Sequence, residues 1–185
     1  FSPELLRSES AIQAVKKAKK SGMEIQEVTA AVFESFSVKD GPQGLAAIGR
    51  QKWHELHEIQ DNQTGLWLAL YQIADPGNLG TLLRSLDGMG GMGLILLDNC
   101  TDPYDPASMR ASMGAILSKK MVRTSTPEFA AWLKLHSLPV IGTSDAATDG
   151  YRNISYPKNM VLLMGSDREG LPNDLMEVCD KVVSI

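Results

Sequence analysis

The chain of 185 residues is poor in cysteine, in aromatic side chains and in long apolar runs. Cys100 and Cys179 are too few and too far apart for a disulfide framework or a zinc site. That scarcity fits a reducing compartment, the cytoplasm or an organelle interior, and no metal is expected. No run approaches the roughly 20 apolar residues of a membrane-spanning helix. The opening Phe1-Ser2-Pro3-Glu4 holds neither a signal peptide nor an initiating methionine, so a piece of a longer protein is expected. A basic excess is missing too: 18 Lys and Arg stand against 22 Asp and Glu, a net charge of −4. Bulk charge therefore gives no pull towards nucleic acid, and any RNA contact must come from local basic clusters. No G-x-G-x-x-G spacing follows a predicted strand and opens a helix, as the fingerprint of dinucleotide-binding folds does, and the lysine–hydroxyl pair of a P-loop follows no glycine. His54, His57 and His136 form no recognised metal-binding motif and read as surface residues, and neither Ser112 nor Ser166 sits in a nucleophile elbow.

What is present is a 43% hydrophobic chain, enough for one full domain and a small one. From Leu66 onward, apolar strands are predicted over 66–71, 93–97, 139–142, 160–164 and 181–185. Helical patterns fall between them over 79–89, 106–117, 127–136 and 172–178. This alternation predicts an α/β fold, a parallel sheet with helices on both faces and right-handed crossovers. Residues 1–50 read differently: an amphipathic helix over 10–20 stopped by Ser21-Gly22, a short strand over 24–29 and a helix over 30–37. A turn cluster, Asp40-Gly41-Pro42-Gln43-Gly44, then precedes a strand over 45–48. Residues 51–64 are polar and read as a linker, partly helical, between this small piece and a domain over 65–185.

Three constellations could carry chemistry. In Asp75-Pro76-Gly77-Asn78-Leu79-Gly80, followed by Arg84, a turn opens a helix. Asn78 is a good N-cap, and Gly80 admits a close neighbour, backbone or ligand. The plain alternative is a capped helix with a surface arginine. The second constellation is Arg110-Ala111-Ser112-Met113-Gly114-Ala115, a helix with a small-residue side and an arginine whose unpaired burial would be costly. The third is Gly165-Ser166-Asp167-Arg168-Glu169-Gly170-Leu171, a glycine turn at the end of a buried strand.

In this order the three constellations resemble the motifs of SpoU, or TrmH-type, RNA 2′-O-ribose methyltransferases of the SPOUT superfamily. Asn78, Gly80 and Arg84 match N-x-G-x-x-x-R. Arg110, Ala111, Ser112, Gly114 and Ala115 match R-A-S-x-G-A, and Gly165, Gly170 and Leu171 match G-x-E-x-x-G-L. Asp167 stands where the family has glutamate, one methylene shorter. Val182-Val183-Ser184-Ile185 resembles the strand leading into a third motif, of which Ile185 is the first residue. The resemblance implies that the remainder of that motif completes the S-adenosyl-L-methionine pocket and a C-terminal trefoil knot, incomplete in this chain, which alone would be inactive. Residues 1–50 resemble the latter half of a small RNA-binding domain like ribosomal protein L30e, with Pro42-Gln43-Gly44-Leu45 matching its P-Q-G-hydrophobic stretch.

By the same resemblance, the implied function is ribose methylation of structured RNA, ribosomal RNA before transfer RNA, by a homodimer without a membrane. Asn78, Arg84 and Glu169 are the implied catalytic residues, with Asp167 helping Glu169 order its loop. Thr143, Gly165 and Ile185 would hold the cofactor, and Arg84 and Arg110 would meet RNA. Arg84 would either activate the hydroxyl or clamp the adjacent phosphate, since an ordinary arginine is a very weak acid. A noncatalytic RNA-binding or assembly protein on the same fold is the rival reading.

Overall fold

The computed structural model describes residues 1–37, 41–59 and 65–185. Asp40 of the turn cluster and residues 60–64 of the expected linker lie outside them. The chain divides into two units, Phe1–Arg50 and Gln51–Ile185.

The first unit holds helices α1 (Glu9–Lys20) and α2 (Ala30–Phe36). Val15 and Phe33 are its buried apolar residues. Thr29 caps α2 by accepting from the Val32 N–H, and Glu4 accepts from the Ala30 N–H. The strands expected over 24–29 and 45–48 do not form. Among the described residues the first segment pairs only with Phe1: the terminal ammonium donates to the Gln26 carbonyl and Val28 N–H donates to the Phe1 carbonyl. That is too little for a ladder. Leu45 and Ile48 are exposed, so no burial drives the second.

The second unit is built on six parallel strands: β1 (Leu66–Tyr71), β2 (Gly93–Leu97), β3 (Lys120–Thr124), β4 (Val140–Thr143), β5 (Met160–Met164) and β6 (Lys181–Val183). Their order is β3-β2-β1-β5-β4-β6. Alternate residues of the central strands go to opposite faces, as the pleat requires. Trp67, Ala69, Val161 and Leu163 join Phe129, Trp132 and Leu175 on one face. Leu68, Leu70, Leu94 and Leu96 join Leu79, Leu83 and Leu86 on the other. The helices α3 (Pro76–Gly88) and α4 (Pro106–Ala111) thus cover one face, and α5 (Thr126–Leu135) and α6 (Asn173–Glu177) the other. Helices lie on both faces, as expected. Among the described residues, no helix is long and apolar enough to cross a membrane.

Three local expectations need correction. Strand β3 was not anticipated: as an edge strand it has a half-exposed K-M-V-R-T pattern instead of a buried run. The helix expected over 106–117 stops at Ala111, because Met113 and Gly114 take positive φ values of 52° and 93°, and only a short 3-10 turn at Ala115–Leu117 follows. Residues 51–59 are more than a linker. Ile59 is fully buried, His54 N–H donates to the Met121 carbonyl along the β3 edge, and Trp53 lies 4.3 Å from the Arg123 guanidinium and edge-on to Tyr104. This strap covers an edge that would otherwise offer unpaired backbone groups.

Candidate active site

All six strands end on one edge of the sheet. The strand order reverses direction between β1 and β5, which pair with Leu70 opposite Met164. Ligands of open α/β sheets collect outside such a reversal, at the carboxyl ends of the strands. The loops leaving β1 and β5 there carry the first and third constellations.

After β1 the chain runs into α3, which begins at Pro76, three residues before the expected start. Asp75 is the N-cap, its carboxylate accepting from the Asn78 N–H at 2.6 Å, with Pro76 in the first helical turn. Asn78 is therefore inside the helix, not at its cap, and its side chain is free for another partner. Its amide donates to Asp167 Oδ2 at 3.2 Å, across 89 residues of sequence. The first and third constellations thus meet through a direct hydrogen bond. The aspartate at position 167 reaches that partner despite its shorter stem.

The loop after β5 is tight. Ser166 and Gly170 exchange backbone hydrogen bonds at 3.1 Å each, and Ser166 Oγ accepts from the Glu169 N–H. A Cβ on Gly165 would collide with the backbone of Gly170 and Leu171, so the chain doubles back across a residue that can only be glycine. Glu169 projects from this loop, exposed. Tyr71, which sequence reasoning missed, ends β1 beside it. Burial, then the carboxylates of Asp98, Asp174 and Glu169, raise its phenol pKa.

Thr143, Gly165 and Ile185 lie at the carboxyl ends of β4, β5 and β6, which are adjacent: Gly142 pairs with Leu163 on one side and Val182 on the other. Cys179 and Leu171 crowd the face of Gly142. Burial, aided by the Asp180 charge, pushes the Cys179 thiol up to about 11, so it stays protonated and behaves as an apolar wall. Among the described residues, no group accepts from the backbone N–H of Gly165 or Ile185. Backbone donors between apolar walls fit the adenine end of a nucleoside cofactor. Among the described residues, no cluster is placed to hold a metal ion.

Arg84 does not converge with Asn78. Six positions along α3 turn it about 120° round the axis and carry it about 9 Å further on. It belongs instead to the flank that packs on α4. One turn before it, a Cβ on Gly80 would collide with the Ser108 carbonyl and approach the Ala111 Cβ at 2.6 Å. One turn after it, Asp87 accepts from Ser118 and pairs with Lys119. The close neighbour that Gly80 admits is thus a helix, not a ligand. Arg110, on α4, is exposed, so the cost of burial does not arise for it; Ser112 and Ala115 are the buried members of its segment. Neither Arg84 nor Arg110 has an ion pair among the described residues.

Residues 65–185, the whole sheet with both loops, match the model of the SpoU rRNA Methylase family. The chain belongs to the SpoU family. Among its relatives is the 23S rRNA (uridine(2479)-2'-O)-methyltransferase of Streptomyces viridochromogenes, 28% identical over 160 residues, which are 83% of this chain and 56% of that protein. The 23S rRNA (guanosine(2553)-2'-O)-methyltransferase RlmP of Bacillus subtilis is 24% identical over 160 residues, 86% of this chain and 62% of its own length. The chain thus spans little more than half the length of these SpoU relatives. Among solved structures, the AdoMet-bound rRNA methyltransferase of Sinorhizobium meliloti superposes with a TM-score of 0.87 at 32% identity, covering 94% of this chain and 67% of that one.

Proposed function

We propose that this SpoU chain takes part in S-adenosyl-L-methionine-dependent methylation of a ribose 2′-hydroxyl in structured RNA, ribosomal RNA ahead of transfer RNA. The observation that carries this reading is the Asn78–Asp167 hydrogen bond, which joins the two motif loops at the reversal point of the sheet. The named activities of the Streptomyces and Bacillus relatives and the cofactor of the Sinorhizobium structure support it. When bound, the cofactor would supply an electrophilic sulfonium methyl. Thr143, Gly165 and Ile185 would hold it, through backbone donors and the apolar walls beside them.

The protein's own residues then have separable tasks. Asn78 and Asp167 fix the two loops against each other. Glu169 gives its backbone N–H to Ser166, which keeps the loop after β5 in shape. Arg84 and Arg110 stand on two helices packed together, exposed and unpaired among the described residues, as phosphate contacts must. Arg84 serves by donating N–H bonds to a phosphate or to the 2′-oxygen as charge develops there. A homodimer with RNA crossing its interface, an L30e-like RNA-binding role for residues 1–50, and work in the cytoplasm or an organelle interior complete the reading.

The test is transfer of labelled methyl from S-adenosyl-L-methionine to ribosomal RNA by the full-length protein. Arg84→Ala should lower the rate about 100- to 1,000-fold, the usual effect of removing one donor to a developing oxyanion. Its melting temperature should not change. Unchanged transfer by Arg84→Ala would remove Arg84 from the mechanism. No cofactor binding by the full-length protein would favour the noncatalytic RNA-binding reading.

A further inference from the structure

The connection from β4 to β5 carries chemistry that the methylation reading leaves unused. Its middle is pinned to the end of β6. Tyr151 N–H donates to the Ser184 carbonyl at 2.9 Å, and Ser184 N–H donates to the Asp149 carbonyl at 2.8 Å. Ile154 packs beneath it against Ile141, Met160 and Val183. The polar ends of two aromatic side chains are engaged inside the loop. Tyr156 Oη donates to the Tyr151 carbonyl at 2.6 Å, and Arg152 Nε donates to Tyr151 Oη at 2.8 Å. The Arg152 guanidinium lies 5.3 Å from the Tyr151 ring centre.

Despite this bracing, both tyrosines remain about two-fifths exposed, at 40% and 42%, and Arg152 is exposed. Large rings held in place yet left open to solvent are costly as packing and useful as a surface. The loop's place gives that surface a use. It pairs with Ser184, one residue before Ile185, on the same edge as Thr143 and Gly165. Unpaired RNA bases are recognised by stacking on aromatic rings and guanidinium planes, which a duplex conceals.

We propose that Tyr151, Tyr156 and Arg152 form a stacking platform for an unpaired nucleotide next to the ribose that receives the methyl group. The inference rests on the methylation reading and adds a selection rule to it: the target must lie in a loop, bulge or end. Arg152 spends only its Nε on Tyr151, which leaves its terminal amino groups for a phosphate. The other charges of the loop, Asp145, Asp149 and Lys158, cancel with Arg152, so stacking outweighs bulk attraction here.

The test uses the full-length protein, a labelled short single-stranded oligouridylate and a duplex RNA of the same length. Tyr151→Ala should weaken oligouridylate binding about five- to a hundredfold, the range for loss of one stacked base. Tyr151→Phe, which keeps the ring but releases Arg152 Nε, should lose far less than Tyr151→Ala. Duplex binding, S-adenosyl-L-methionine affinity and melting temperature should be the same in all three proteins. Parental oligouridylate affinity in Tyr151→Ala would overturn the platform. So would an equal loss in Tyr151→Phe accompanied by a lower melting temperature, since that marks a structural role. A parent protein that transfers no methyl and binds no RNA would sink the methylation reading itself. A parent that methylates ribosomal RNA, matched by Tyr151→Ala in both rate and binding, would sink the platform alone.

Discussion

Replacing Gly80 by alanine adds one methyl group where helices α3 and α4 touch. The new Cβ would overlap the Ser108 carbonyl oxygen, come within 2.6 Å of the Ala111 Cβ and within 3.0 Å of the Ser112 nitrogen. Two of the three obstacles are backbone atoms, so no rotamer change relieves them. Helix α4 must retreat by about 1 Å to restore ordinary contact distances. Overpacking of this kind costs about 1–3 kcal/mol. The retreat also strains the Ser108 Oγ–H bond to the Pro76 carbonyl, now 2.9 Å, which contributes about 1 kcal/mol. Against this, alanine is the better helix former by about 1 kcal/mol. The net loss is about 1–3 kcal/mol, a fall of roughly 3–10 °C in melting temperature for a unit of this size. Gly88→Ala is the internal control: it sits on the same helix with nothing within 4 Å of the added carbon. It should be neutral or slightly stabilising. Thermal unfolding followed by circular dichroism measures both. A Gly80→Ala protein as stable as Gly88→Ala would refute the close-packing account. It would reopen Gly80 as a place where a ligand approaches.

Two further measurements address the site. In a double-mutant cycle, Asn78→Ala and Asp167→Ala should couple by about 0.5–1.5 kcal/mol in chemical denaturation, since each removes the same hydrogen bond; strict additivity would mean that the bond contributes nothing in solution. The Cys179 thiol, pushed up to about 11, keeps its proton in the folded state at pH values where an unfolded cysteine has lost it. Alkylation by iodoacetamide at pH 8 should therefore be roughly a hundredfold slower at Cys179 in the folded protein than in denaturant. Its contribution to stability is complete below the ordinary thiol pKa of 9.0 and declines as pH rises from there through about 11. Equal alkylation rates in both states would show that the wall beside Gly142 is open.

How much of this was legible in the sequence depended on burial. Strands β1, β2 and β5 are nearly continuous apolar runs because both of their faces are covered, and their bounds were readable to the residue. Strand β3 escaped because an edge strand needs only its Met121 and Val122 inside. At the start of α3, asparagine and aspartate are equally good caps, and the deciding signal was Pro76, which favours the first helical turn and so moves the cap to Asp75. The break at Met113 had no such marker, because a methionine with positive φ is forced by its surroundings and not by its own preference. The polar composition of residues 51–59 concealed Trp53 and Ile59, the two that dock the strap. Asn78 and Arg84 were named from a motif, and Glu169 from an unspecified position between the glycines of another. Motif membership is silent about direction, and only the contact of Gly80 with α4 located the flank that Arg84 occupies.

The strand order also sets a timetable for synthesis. β1, β2 and β3 are neighbours in both sequence and space, so half of the sheet can form with α3 and α4 as the chain emerges from the ribosome. β4 comes next, yet its partners are β5 and β6, and one edge of β1 waits for β5 as well. The arrival of β5 therefore joins two halves at once and brings Asp167 to Asn78 in the same event. Until then the nascent protein exposes an apolar β1 edge, the kind of surface that chaperones shield. The junction of the two motif loops is thus withheld until β5 and the loop that follows it have been made.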